Sequence, residues 1–127
     1  MDPRLLILDV DTGIDDAMAL LYAVASPDAR LLVATCAPGN ASLEAVVRNT
    51  RGVLDIAGAT AVEVIAGARE PLVKPLVTTP ETHGPTGLGY AVLPAPTVPL
   101  TMPAAGAANA AAARIVAEVR EIGRAHV

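Results

Sequence analysis

The chain has 127 residues, 53% hydrophobic and 17% charged, with a net charge of −4. That is the length of one ordinary domain with enough apolar matter for a core, and it excludes a disordered polar chain. Nine scattered Lys and Arg residues form no basic stripe, and two Tyr with no Trp or Phe leave no base-stacking platform, so no nucleic-acid partner is expected.

Cys36 is the only cysteine, so no disulfide closes within the chain, and a reducing, cytoplasmic setting is expected. Asp9 interrupts the first apolar run too early for a signal peptide. No run approaches the roughly 18 apolar residues of a membrane span, so no membrane partner is expected either.

In chain order, R-L-L-I-L-D-V at 4–10 predicts a strand buried on both faces. Asp15 or Asp16 then opens a helix, as Asp favours caps and first turns, with Ala17, Leu20, Leu21 and Val24 at helical spacing. Ser26-Pro27-Asp28 closes it. R-L-L-V-A-T-C at 30–36 predicts a second buried strand, and Ala37-Pro38-Gly39-Asn40 a turn. Leu43, Val46, Val47, Val53 and Leu54 mark a second helix ending at Gly58, and Val62 to Ala66 a third strand ending at Gly67.

The order β-α-β-α-β predicts an α/β fold, a Rossmann-like parallel sheet with right-handed helical crossovers. Ligands of such sheets sit beyond the carboxyl ends of the strands, where the aspartates, Gly39-Asn40 and Gly67 all fall. Residues 68–103 hold most of the eleven prolines together with H-G-P-T-G-L-G at 83–89. So long a loop within a domain points to a functional segment or a lid. Residues 104–120 are Ala-rich and predict a last helix, with no strand after it.

The chemistry concentrates in I-L-D-V-D-T-G-I-D-D-A-M-A-L at 7–20, where Asp9, Asp11, Asp15 and Asp16 fall within eight positions. Carboxylates this close repel, and burial pushes their pKa values up. A hard cation relieves both effects, and calcium takes carboxylate oxygens in loose geometry. A single Asp before a helix reads as a cap; four at this spacing past a strand read as a site. An EF-hand register from Asp9 puts Gly13 where a ligand is needed and Leu20 where a bidentate acid must close the loop, so it fails. A haloacid-dehalogenase-type phosphatase also ends its first strand in D-x-D, but its pattern continues Gly-Thr rather than Thr12-Gly13 and does not call for Asp15-Asp16. That phosphatase, and a non-catalytic divalent-metal or ribose-binding fragment, are the alternatives. Cys36 reads as a core filler.

D-V-D-T-G-I-D-D-A-M-A-L resembles the signature of the inosine/uridine-preferring nucleoside hydrolase family, D-x-D-x-G-x-D-D-A-x-A-L. A-P-G-N at 37–40, the helix V-V-R-N-T-R-G-V-L-D-I-A-G, I-A-G-A-R-E-P-L at 65–72 and H-G-P-T-G-L-G resemble its later segments in the same order. The resemblance implies a calcium ion held by Asp11 and Asp16. It makes Asp11 the general base toward a calcium-bound water, and sets Asp15 on the ribose hydroxyls. Asn40 would touch the ribose near the metal, Asp9 would support the site, and His83 would lie in a mobile loop over the base. The reaction implied is hydrolysis of a ribonucleoside N-glycosidic bond through an oxocarbenium-like transition state.

Members of that family are much longer, and further calcium ligands and a leaving-group histidine lie in their later segments. Residues 1–120 therefore read as the N-terminal part of a nucleoside hydrolase domain, incomplete relative to the full fold, with the full-length parent a homo-oligomer. The final E-I-G-R-A-H-V, residues 121–127, is similar to a translated sequencing-adapter read and is expected to be non-native, with His126 carrying no meaning. The expectation is little or no hydrolase activity for this chain alone, and an uncovered sheet edge after the third strand.

Overall fold

The structure, a computed structural model, describes residues 2–124. The elements run β1 (Arg4–Val10), α1 (Ile14–Ala25), β2 (Ala29–Cys36), α2 (Leu43–Ile56), β3 (Glu63–Ala66), α3 (Pro80–His83) and α4 (Ala110–Arg124). The sheet is parallel, in the order β1-β2-β3. The predicted α/β sheet is thus present.

Burial separates the strands. In central β2, Leu31, Val33, Ala34, Thr35 and Cys36 are all buried. β1 is an edge strand; Leu5 and Asp9 are exposed, and only Val10 is buried. The expectation of a first strand buried on both faces is therefore wrong. A continuous apolar run reports low polarity, and it does not report whether a second layer covers the strand. Both β1 and β3 are edges among the described residues, so the open edge is not confined to β3.

α1 and α2 pack on each other and on the same side of the sheet. Leu20 and Leu54 are fully buried there, with Leu31, Ala34 and Val53. Each such leucine contributes about 1.5–3 kcal/mol relative to exposure. α4 lies against β2 and β3 and has Arg114 on Glu63, a residue that alternates with the inward-facing Val64. It therefore covers the opposite face, the face of Asp9 and Thr35.

α1 opens with Asp15 and Asp16 in its first turn, one of the two places expected of them, and not at its cap. Its N-cap is Gly13, which offers no side-chain cap. α2 is capped by Ser42, whose side chain accepts from Ala45 N at 3.3 Å. Near its end Arg51 is 3% exposed. Its guanidinium donates to Asp55 at 2.7 Å, to Val62 O at 2.5 Å and to Ala59 O at 3.0 Å. Asp55 also accepts from Thr97 N and Oγ1, each at 3.0 Å. This knot ties the α2 terminus to the entry of β3 and to the proline-rich segment.

Burial opposes ionisation of Asp55, but the Thr97 hydrogen bonds and the Arg51 guanidinium outweigh it and hold the carboxyl below its ordinary value. A carboxyl depressed on folding stabilises above its ordinary pKa of 3.8, and that stability is lost as pH falls through the lower folded value. Thermal melts of the wild type and Asp55→Asn from about pH 6 to about pH 2.5 are expected to diverge above that window and converge below it.

Residues 68–103 hold only the four-residue α3, in which His83 is the last residue. Leu93 packs on the α1/α2 core, and Leu100 and Met102 on the cluster around Val46. The part around Thr79 and His83 reaches the aspartate turn, Leu93, Leu100 and Met102 close the core, and residues 70–75 are exposed. The last helix continues through Arg124, so Glu121 to Arg124 are helical, while the final part of the tail, 125–127 with His126, lies outside the described residues.

Candidate active site at the carboxyl edge of the sheet

β1 ends at Val10, and Asp11 lies just past it. The chain then turns through Thr12-Gly13 into α1. That turn is held from α2, where Thr12 Oγ1 lies 2.7 Å from Thr50 Oγ1 and both side chains are buried. Thr50 in turn donates to Val46 O at 2.7 Å and accepts a contact from Cys36 Sγ at 3.4 Å. Burial pushes the Cys36 thiol up to about 11, so it is an inert core group.

Asp11 and Asp16 are brought together. Asp16 Oδ2 accepts from Asp11 N at 2.9 Å, which sets the Asp16 carboxylate against the Asp11 backbone. Burial raises the Asp16 pKa; the Asp11 N–H lowers it, and the Asp11 and Asp15 carboxylates raise it again. Asp11 Oδ2 accepts from Asn40 N at 2.9 Å, and Asn40 Nδ2 reaches Asp11 O at 3.4 Å. Gly39 permits this approach, for a Cβ there would stand 2.2 Å from Asp11 Oδ2.

The other two aspartates stand apart. Asp9 Oδ1 accepts from Thr35 Oγ1 at 2.6 Å, on the face toward α4. Asp15 is exposed on α1. The four do not converge on one point: among the described residues no group of three or more His, Cys, Asp or Glu side chains is placed to hold a metal. Asp11, Asp16 and the Asn40 side chain are hard oxygen donors of the kind calcium takes, and they number fewer than the six to eight that it takes.

His83 comes from the far segment to the mouth of α1, where its Nδ1 accepts from Ile14 N at 3.1 Å. It satisfies one of the helix's orphan donors from outside, which requires an unprotonated Nδ1. A Cβ on Gly13 would stand 2.3 Å from that nitrogen. Thr79 fastens the same segment to Asn40, with Oγ1 3.3 Å from Asn40 Oδ1 and N 3.2 Å from Asn40 O. A cleft of about 320 Å³ opens beside Asp9, between Pro38, Gly67 and α4.

Sequence reasoning missed Thr35, Asn49, Thr50 and Thr79. Three of them carried a usable signal. Thr35 is a polar residue inside a buried strand, and Asn49 and Thr50 interrupt the apolar face of α2 between Val46 and Val53. Buried polar groups need partners, so each marked a contact. Thr79 sits in an irregular segment where no periodicity speaks.

Fold and site together define an α/β protein with an acidic, oxygen-lined edge at the carboxyl ends of a parallel sheet. A family model described as inosine-uridine preferring nucleoside hydrolase matches residues 6–126. The chain belongs to that family. It is 44% identical over 93 residues to the inosine-uridine preferring nucleoside hydrolase of Crithidia fasciculata, covering 73% of this chain and 30% of that protein. It is 46% identical over 92 residues to the one of Leishmania major, covering 72% and 29%. The fold is similar to a purine-preferring ribonucleoside hydrolase from Gardnerella vaginalis, with a TM-score of 0.72, 32% identity and coverage of 80% of this chain and 34% of that one. The chain thus spans about 30% of the length of the curated relatives. These matches set aside the dehalogenase-type reading of Asp9 and Asp11.

Proposed function

We propose that this chain carries part of a calcium-dependent ribonucleoside hydrolase site, cleaving nucleoside and water to ribose and free base. The observation that supports it most is the Asp11–Asp16 pair braced by Asn40, in a chain of the nucleoside hydrolase family. Asp11 and Asp16 would hold calcium, with Asn40 beside them. When bound, calcium supplies positive charge that offsets the crowded carboxylates and acidifies a neighbouring water.

The chain's own residues do the rest. Asp11 takes the proton from the attacking water, its orientation fixed by Asn40 N. Asp15, exposed at the first turn of α1, is free to accept ribose hydroxyls. Asn40 meets the sugar from the second turn, steadied by Thr79. The negative field of the aspartates favours the cationic sugar of the transition state. Asp9 supports the floor through Thr35, and His83 stands at the rim over the base.

Localisation is proposed as cytoplasmic, in keeping with a lone buried Cys36. No helix among the described residues is long and apolar enough to cross a membrane. The full-length protein is proposed to be a homo-oligomer, in keeping with exposed Met18, Leu21 and Tyr22 on α1.

Because only two carboxylates and one amide converge, residues 1–127 alone are expected to release little or no base from inosine or uridine. Absorbance assays of both substrates with excess calcium check this. Robust turnover would contradict the incomplete-site reading, and turnover indifferent to calcium and to Asp11 would sink the proposed chemistry as well.

A further inference from the structure

The Asn49 carboxamide belongs to no part of the chemistry above, yet it is 4% exposed in the middle of α2. Its Nδ2 donates to two carbonyls on two different loops, Thr12 O at 3.3 Å and Thr86 O at 2.7 Å. Thr12 lies in the turn between Asp11 and the Asp15-Asp16 pair. Thr86 lies three residues after His83, in a loop closed on itself by Gly89 N to His83 O at 2.7 Å. The two protons of one amide nitrogen are thus shared between the aspartate turn and the histidine loop.

The backbone is shaped to allow it. Gly87 has φ +91, and a Cβ there would stand 2.9 Å from Asn49 Nδ2 and 3.5 Å from Thr12 O. Leu88, next in the chain, is buried. The loop is therefore seated on Asn49, while its outer end reaches α1 through His83 and Ile14 N. A hydroxyl could satisfy one of the two carbonyls, and an apolar side chain neither.

We propose that Asn49 is a positioning residue that sets His83 and the 84–89 loop at a fixed place relative to Asp11 and Asn40, and so sets the fit of the ribonucleoside. The second half rests on the function proposed above; the first half does not. Two readouts separate them. One is amide exchange at Ile14, with the His83 imidazole nitrogen shifts, in residues 1–127. The other is affinity for inosine in saturating calcium.

Asn49→Ala is expected to raise Ile14 exchange at least roughly tenfold and to shift the His83 Nδ1 signal, while exchange at Val33 and Thr35 in β2 stays as in the wild type. Inosine affinity falls and calcium affinity holds. Asn49→Ser, with a single donor, should lie between the two, and it serves where the alanine variant does not fold. Leu54→Ala is the control for general loosening and should raise exchange across the sheet. Uniformly raised exchange in the Asn49 variants, or an unchanged His83 signal, would overturn the proposal. If the wild type binds no inosine while the His83 signal still answers to Asn49, the positioning stands and the nucleoside reading fails.

Discussion

Asp11→Ala is expected to weaken calcium binding roughly 100-fold or more. A unit charge 4 Å from another near a protein surface is worth about 4 kcal/mol, and calcium carries two, so a large loss survives any solvent discount. The fold should barely notice. Asp11 takes one backbone hydrogen bond at the site, from Asn40 N, and its carboxylate is one of the groups that crowd Asp16. Removing it relieves that repulsion while freeing one partly solvated N–H. The expected pattern is a melting temperature within a few degrees of wild type beside a collapsed calcium affinity, read by scanning calorimetry and titration on the same sample. A variant that melts far lower would mean that Asp11 is chiefly structural.

Arg51→Ala should do the reverse. Among the described residues it removes the cation that meets Asp55, strips the Val62 carbonyl of its guanidinium donor, and leaves Ala59 O with the Val62 N–H alone. Losing one partner of a buried pair costs about 3–5 kcal/mol. Whole domains hold only about 5–15 kcal/mol, so much of this chain should unfold near physiological temperature. Arg51→Lys should recover little, because one ammonium cannot span three acceptors set in different directions. Urea denaturation gives the measure. A midpoint shift equivalent to less than about 1 kcal/mol would show that the knot contributes little.

The two variants mark what the sequence could and could not display. Asp11 stands in a pattern dense enough to read directly, with carboxylates crowded at the end of an apolar run. Arg51 looks like any solvated helix arginine until the chain folds and sets it under the β3 entry. The succession of strands and helices followed from periodicity, since apolar runs alternate with helical spacing from Arg4 to Ala66; the order of the strands in the sheet did not. The half-open burial of β1 did not, because it depends on what lies beyond Leu5 and Asp9 rather than on those residues. Within the site, proximity in sequence overstated proximity in space. Asp9 is two residues from Asp11 but bonds to Thr35 on the face toward α4, and Asp15 turns to solvent one residue before Asp16. His83, some 70 positions from the turn, arrives beside it.

Titration calorimetry with calcium, followed by inosine, on wild-type residues 1–127 and on Asp11→Ala addresses the site most directly. Calcium heat in the wild type, its loss in the variant, and inosine binding only in the calcium-loaded wild type are the results expected. Equal calcium heat in both proteins, or inosine binding that ignores calcium, would contradict a cation and ribose site built on Asp11 and Asp16.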